Sequence, residues 1–110
     1  MQDKITKILK AIADPTRREI FHALVMAATA LPITQISSQF KISRQGVTKH
    51  LRTLEDADLV RIERHGRERN CRANVRPLRE VGQWLKFYER FWDDALINLG
   101  TYLENSSKNS

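Results

Sequence analysis

Ile5, Ile8, Leu9 and Ile12 recur at spacings of three and four, the repeat of one helix face, so residues 3–13 are predicted to form an amphipathic helix. The pattern stops at Ala13-Asp14-Pro15. Aspartate is a favoured N-cap, and proline suits the first helical position because its missing N–H would have had no acceptor there. A second helix is therefore expected to about Ala28, with Ile20, Phe21, Leu24 and Val25 on its apolar side. Pro32 blocks its continuation. Thr34 is placed to cap a short third helix that buries Ile36 and Phe40, and Lys41-Ile42-Ser43 turns the chain before Ser43 caps a fourth. In that fourth helix Val47, Leu51, Leu54 and Ala57 form the buried stripe, with His50 beside it, while Arg44, Gln45, Thr48, Lys49 and Arg52 point elsewhere.

Beyond Leu59 the period shortens to two. Val60 and Ile62, a turn at Gly66 and alternation down to Ala73 predict a β-hairpin. A two-residue Gly66-Arg67 turn of type II′ sets Ile62 against Cys71 and Val60 against Ala73; a three-residue loop sets Arg64 against Glu68 instead. The first register is preferred, because burying an apolar face specifies pairing more strongly than exposed charges do. Pro77 then opens a long helix ending near Glu104, in which Val81, Trp84, Leu85, Tyr88, Phe91, Trp92, Ala95, Leu96, Leu99, Tyr102 and Leu103 keep helical spacing. So broad a stripe exceeds what one side of a small domain needs, and much of it is expected to face another chain. Residues 105–110 are polar and expected to be a disordered tail on a single domain spanning 1–104.

The expected architecture is mainly α with a small β-hairpin, five helices in the order α-α-α-α-hairpin-α. Two helices joined by a tight turn, the second polar near its N-terminus and followed by a hairpin, form a winged helix-turn-helix pattern.

Charge sharpens this. The formal net charge is +6 over 110 residues, and residues 41–79 hold eleven Lys/Arg against five Asp/Glu, so the whole excess lies in the segment containing the fourth helix and hairpin. A basic footprint of this kind suits a polyanion such as nucleic acid. With 41% apolar and 29% charged residues the chain is neither disordered nor fibrous. Its longest apolar run, residues 23–31, is interrupted by Thr29 and too short to span a bilayer, and the N-terminal segment is not a signal peptide, so no membrane partner and a cytoplasmic location are expected. Cys71 is the single cysteine, which excludes an internal disulfide and any cysteine-based zinc framework.

In order, "ADPTRREIFHAL", "ITQISSQFKISRQGVTKHLRTLEDADLV" and "HGRE" resemble the ArsR/SmtB family of winged helix-turn-helix repressors over about residues 4–104. The aromatic-rich final helix is similar to that of a subset of the family without a recognised metal site. The resemblance implies a homodimer through the first and last helices, with Ile5, Ile8, Leu9, Trp84, Tyr88, Phe91, Trp92, Leu96 and Leu99 at the interface. It also implies two recognition helices in successive major grooves with a flanking wing on each. There are two departures. Lys41 stands where the family often has glycine, and a non-glycine residue in the left-handed conformation costs roughly 1–2 kcal/mol. The paired cysteines and the Asp/His sets of metal-sensing members are missing from the third and last helices.

On this reading Arg44, Gln45, Thr48 and Lys49 are the candidate base readers: Arg and Lys donate to guanine, Gln pairs bidentately with adenine, and a threonine methyl meets thymine. Ser43 caps and can donate to a phosphate, and Gly46 either lets backbone approach the groove or reflects tight packing. His50 suits packing or a phosphate bond, and Arg52 and Lys41 are candidate phosphate neighbours. Arg64, Arg67 and Arg69 on the wing are candidate phosphate or minor-groove contacts. His22, His50 and His65 lack the spacing that suits zinc, and Cys71 fits the inner face of the wing. No nucleophile–base motif or phosphate-binding glycine loop is present, so neither an enzyme nor a cofactor is expected, and no small-molecule inducer is identifiable. Two alternatives stand beside the DNA-binding repressor: a metal- or redox-responsive repressor of the same fold, and a protein-interaction module without DNA binding.

Overall fold

A computed structural model of the protein describes residues 3–108. The elements run α1 (Lys4–Ala13), α2 (Pro15–Ala27), β1 (Leu31–Pro32), α3 (Ile33–Phe40), α4 (Arg44–Asp56), β2 (Val60–His65), β3 (Glu68–Ala73) and α5 (Leu78–Lys108). They divide into two compact units, residues 1–79 and 80–110.

In the first unit the helix starts follow the capping chemistry. The Asp3 carboxylate accepts from the Thr6 N–H at 2.7 Å, and Asp14 accepts from the Arg17 N–H at 2.8 Å. The corner between α1 and α2 is closed by cations of the incoming helix, which supply donors to carbonyls that a helix end leaves unpaired. Arg17 donates to the Lys10 and Ala11 carbonyls and Arg18 to that of Ile12 at 2.9 Å. These two arginines therefore hold the fold together at the α1–α2 corner.

The third helix departs from expectation. It begins at Ile33 with Pro32 as N-cap and no side-chain cap bond, so Thr34 lies inside the helix and does not cap it. The cause is tertiary. Leu31 and Pro32 pair antiparallel with Cys71 and Asn70 of β3, delivering the chain in extended form to Ile33, whose side chain is buried. Ile33 and Ile36 are buried, Ile36 as expected, but Phe40 is only half-buried.

In α4 Val47, Leu51 and Leu54 have 0% exposure, and Ala57 completes their stripe. Leucines in such positions typically cost about 2–5 kcal/mol when cut to alanine. Ile20 and Leu24 of α2, Leu59 between α4 and β2, and Val60 and Cys71 of the hairpin are buried as well. Ile8 is also buried in the single chain, which removes it from the expected dimer surface; Ile5, Leu9 and Ile12 on the neighbouring side of α1 stay half-exposed.

The hairpin has the preferred register: Ile62 faces Cys71, Val60 faces Ala73, and Arg64 faces Arg69. Gly66 has φ +64° while Arg67 is absent from the positive-φ residues, the φ signs of a type II′ turn. The sheet has a third strand, in the order β1-β3-β2, where only a hairpin was expected. Two residues of β1 are too few to show any alternation. Asn74 ties the base of the hairpin to the end of α4, donating through Nδ2 to the Asp58 carbonyl at 2.8 Å.

The second unit is a helix. α5 continues through Lys108, so residues 105–108, expected in a disordered tail, are helical; residues 109 and 110 lie outside the described residues. Extending a formed helix adds one hydrogen bond per residue fixed, without the cost of nucleation, and neither Pro nor Gly follows Gly100. Along α5 the rings of Trp84 and Tyr88 lie 5.5 Å apart, and those of Phe87 and Phe91 5.2 Å apart. Phe87 widens the apolar stripe beyond the residues the spacing selected.

Candidate nucleic-acid interface

The turn before α4 is locked by backbone chemistry. Lys41 adopts the left-handed conformation, φ 55° and ψ 41°, at the C-terminus of α3, where its N–H donates to the Ser37 carbonyl. Ile42 N–H reaches the same carbonyl at 3.2 Å, and the Ser37 hydroxyl donates to the Ile42 carbonyl. Ser43 then caps α4, its Oγ accepting from the Gly46 N–H at 3.1 Å. A Cβ on Gly46 would stand 2.7 Å from Cγ2 of Ile42, a stiff β-branched side chain. Gly46 thus serves close packing of the turn against α4.

This geometry aims one face of α4 outward. Arg44, Gln45, Thr48, Lys49 and Arg52 line an open concavity of about 560 Å³ together with Thr53, Asp56 and Arg69. Arg44, Gln45, Lys49 and Arg52 are exposed, and Thr48 is half-buried. Arg69 joins them because of the register: it shares the face of the hairpin carrying Ile62 and Cys71, and that face looks toward α4. A smaller concavity of about 120 Å³ brings Arg67 and Arg69 beside Arg44 and the start of α3 at Ile33 and Thr34. Two like-charged arginines directly across the strands, Arg64 and Arg69, are mutually unfavourable in the free protein.

Some expected site residues lie elsewhere. Ser43, Gly46, His50, Lys41 and the wing's Arg64 line neither concavity. His50 is half-buried and its charge acts on Asp14, placing it toward the start of α2. Thr53 and Asp56 are additions to the expected face. Continuing the spacing from Gln45 through Lys49 and Arg52 by one more turn would have found them.

Residues 12–63 match a family model described as a helix-turn-helix domain. Over 79 residues the chain is 38% identical to the HTH-type transcriptional regulator YuzN of Bacillus subtilis strain 168, covering 67% of this chain and 86% of that one. Over 81 residues it is 28% identical to the transcriptional repressor SdpR of the same organism, covering 74% and 88% of the two chains. The ArsR-like transcriptional regulator from Rhodococcus sp. RHA1 aligns structurally with a TM-score of 0.71 at 27% identity, over 87% of this chain and 89% of that one. The chain belongs to the ArsR family of winged helix-turn-helix transcriptional regulators.

As an ArsR-family regulator it is a DNA-binding protein. Among the described residues, no three of His, Cys, Asp and Glu gather as a metal site. Cys71 is fully buried in the sheet, and burial pushes its thiol up to about 11. The thiolate, which reacts with oxidants, is therefore suppressed at neutral pH. No described helix is long and apolar enough to cross a membrane.

Proposed function

We propose that the protein is a homodimeric, sequence-specific repressor that occupies an imperfect palindromic operator. The observation that carries this reading is the gathering of Arg44, Gln45, Thr48, Lys49 and Arg52 of one helix face with Arg69 of the wing around one open concavity. Arg44, Gln45, Thr48 and Lys49 read base edges in the major groove, and Arg52 and Lys41 hold phosphates. Arg64, Arg67 and Arg69 contact phosphates or the minor groove from the flank. Two chains associate through the exposed apolar residues of α5, Trp84, Tyr88, Phe91, Trp92, Leu96 and Leu99 among them, with Ile5 and Leu9 of α1. The activity is binding, with no reaction catalysed, and it takes place in the cytoplasm. The buried Cys71 gives no support to a redox-responsive variant of this reading.

Selection of bound duplexes from a random pool, followed by footprinting, tests it. The expected result is a palindrome with half-site centres roughly 34–36 Å apart, one helical turn. Binding should weaken steeply with salt, and Lys49→Ala should erode sequence preference more than Arg67→Ala does. Equal affinity for every duplex would overturn the proposal.

A further inference from the structure

The recognition concavity does not end at the last turn of α4. Thr53 and Asp56, which form its far wall, also line a second concavity of about 340 Å³ completed by Lys7, Lys10 and Ala11 of α1 and by Ala57. Lys7 and Lys10 are exposed and one helical turn apart on α1, while Ile8 and Ala11 face the core. The molecular surface is thus continuous from Arg44 along α4 to the two lysines. From Arg44 to Asp56, at about 1.5 Å per residue, its α4 part is about 18 Å long.

Counting along the chain hides this, because the α1 lysines are offset by acids far away in sequence. By structural unit the balance is different: residues 1–79 hold sixteen Lys/Arg against eight Asp/Glu, a net of +8, and residues 80–110 hold three against five, a net of −2. Among the described residues neither Lys7 nor Lys10 forms an ion pair with Asp56, so their charge is not neutralised by the one carboxylate that shares their concavity.

We propose that Lys7 and Lys10 form a second DNA-backbone contact on the α1 side of the recognition helix, reaching phosphates that α4 and the wing do not. This rests on the reading of α4 as the recognition helix and extends it. Duplex DNA carries a charge every ~1.7 Å of axis, so a track of this length passes several phosphates. Lysine ammoniums on flexible stems serve as point charges for phosphate without reading sequence. The contact adds affinity and fixes register, and leaves the choice of base to α4.

The test is the salt dependence of binding, with the selected operator and a scrambled duplex as probes, for the wild type, Lys7→Gln/Lys10→Gln, Lys7→Arg/Lys10→Arg and, as a control, Lys86→Gln on α5. Removing one lysine–phosphate pair should flatten the plot of log affinity against log salt by about 0.9, so the double glutamine variant, which removes two pairs from each half of the dimer, should be shallower by about 3.6. The ratio of operator to scrambled affinity should hold, and the arginine variant and the control should keep the wild-type slope. A wild-type slope in the glutamine variant, with the operator still preferred, overturns the α1 contact and leaves the repressor reading standing. Absence of any operator preference in the wild type overturns that reading itself. Sedimentation of the glutamine variant as the wild-type oligomer ties a changed slope to the phosphates that Lys7 and Lys10 no longer reach; a changed slope found only with altered assembly counts against the α1 contact.

Discussion

Lys41 shows how one residue sets a turn at the cost of backbone strain. With φ at +55° it carries the left-handed strain that glycine avoids, yet it ends α3 and sets where α4 begins. Lys41→Gly should raise stability by about 1 kcal/mol, read as a higher urea midpoint with unchanged slope. Cys71 gives a second prediction. Its thiol ionises at about 11 in the native wing against 9.0 ordinarily, so the stability it contributes is full below pH 9 and is lost as pH rises toward 11. Ellman's reagent at about pH 8 should label the denatured chain quickly and the native chain only as fast as it opens. Rapid labelling of the native protein, or peroxide-driven release from DNA, would restore the redox reading.

Among the elements, α2 depends on an ionised cap. Asp14 is held below its ordinary 3.8 first by the N–H of Arg17, against some desolvation, and then by the charges of Arg17 and His50. A depressed carboxylate contributes stability above its unfolded pKa and loses it as pH falls through the lower native one. Asp14→Asn keeps a good N-cap and should flatten the acid limb of a thermal-stability curve taken between about pH 6 and pH 2. The wing makes a different point about elements. Alternation and the Gly66 turn were legible as a hairpin, and burial selected its register; that register then put Arg69 beside α4 and left Arg67 at the tip.

For the whole molecule, α5 is the proposed dimerisation surface. Phe91 is 59% exposed and Leu96 51%, although the Phe91 ring lies 5.2 Å from that of Phe87 on the same helix. Burying each such side chain is worth about 1.5–3 kcal/mol, so Phe91→Glu/Leu96→Glu should give monomers in sedimentation velocity while retaining helical circular dichroism. Operator affinity should fall about 100-fold or more, because a second half-site no longer binds as an intramolecular event. A variant that stays dimeric would place the interface elsewhere.

The helices, the caps of α2 and α4 and the polar face of α4 followed from local chemistry: a 3.6-residue apolar period, Asp14-Pro15, Ser43 and the spacing from Arg44 to Arg52 are complete within a few residues. So did the hairpin, since a period of two around a glycine has few other readings. What depended on distant partners was invisible along the chain. Strand β1 exists because β3 lies beside it, and this moved the start of α3 to Ile33. Ile8 turned inward because the core needed it, and Lys7 and Lys10 came to border α4 because α1 packs there. Local propensities act over one or two turns of chain, whereas burial and surface continuity join residues across the fold, and only the tertiary structure contains those pairs.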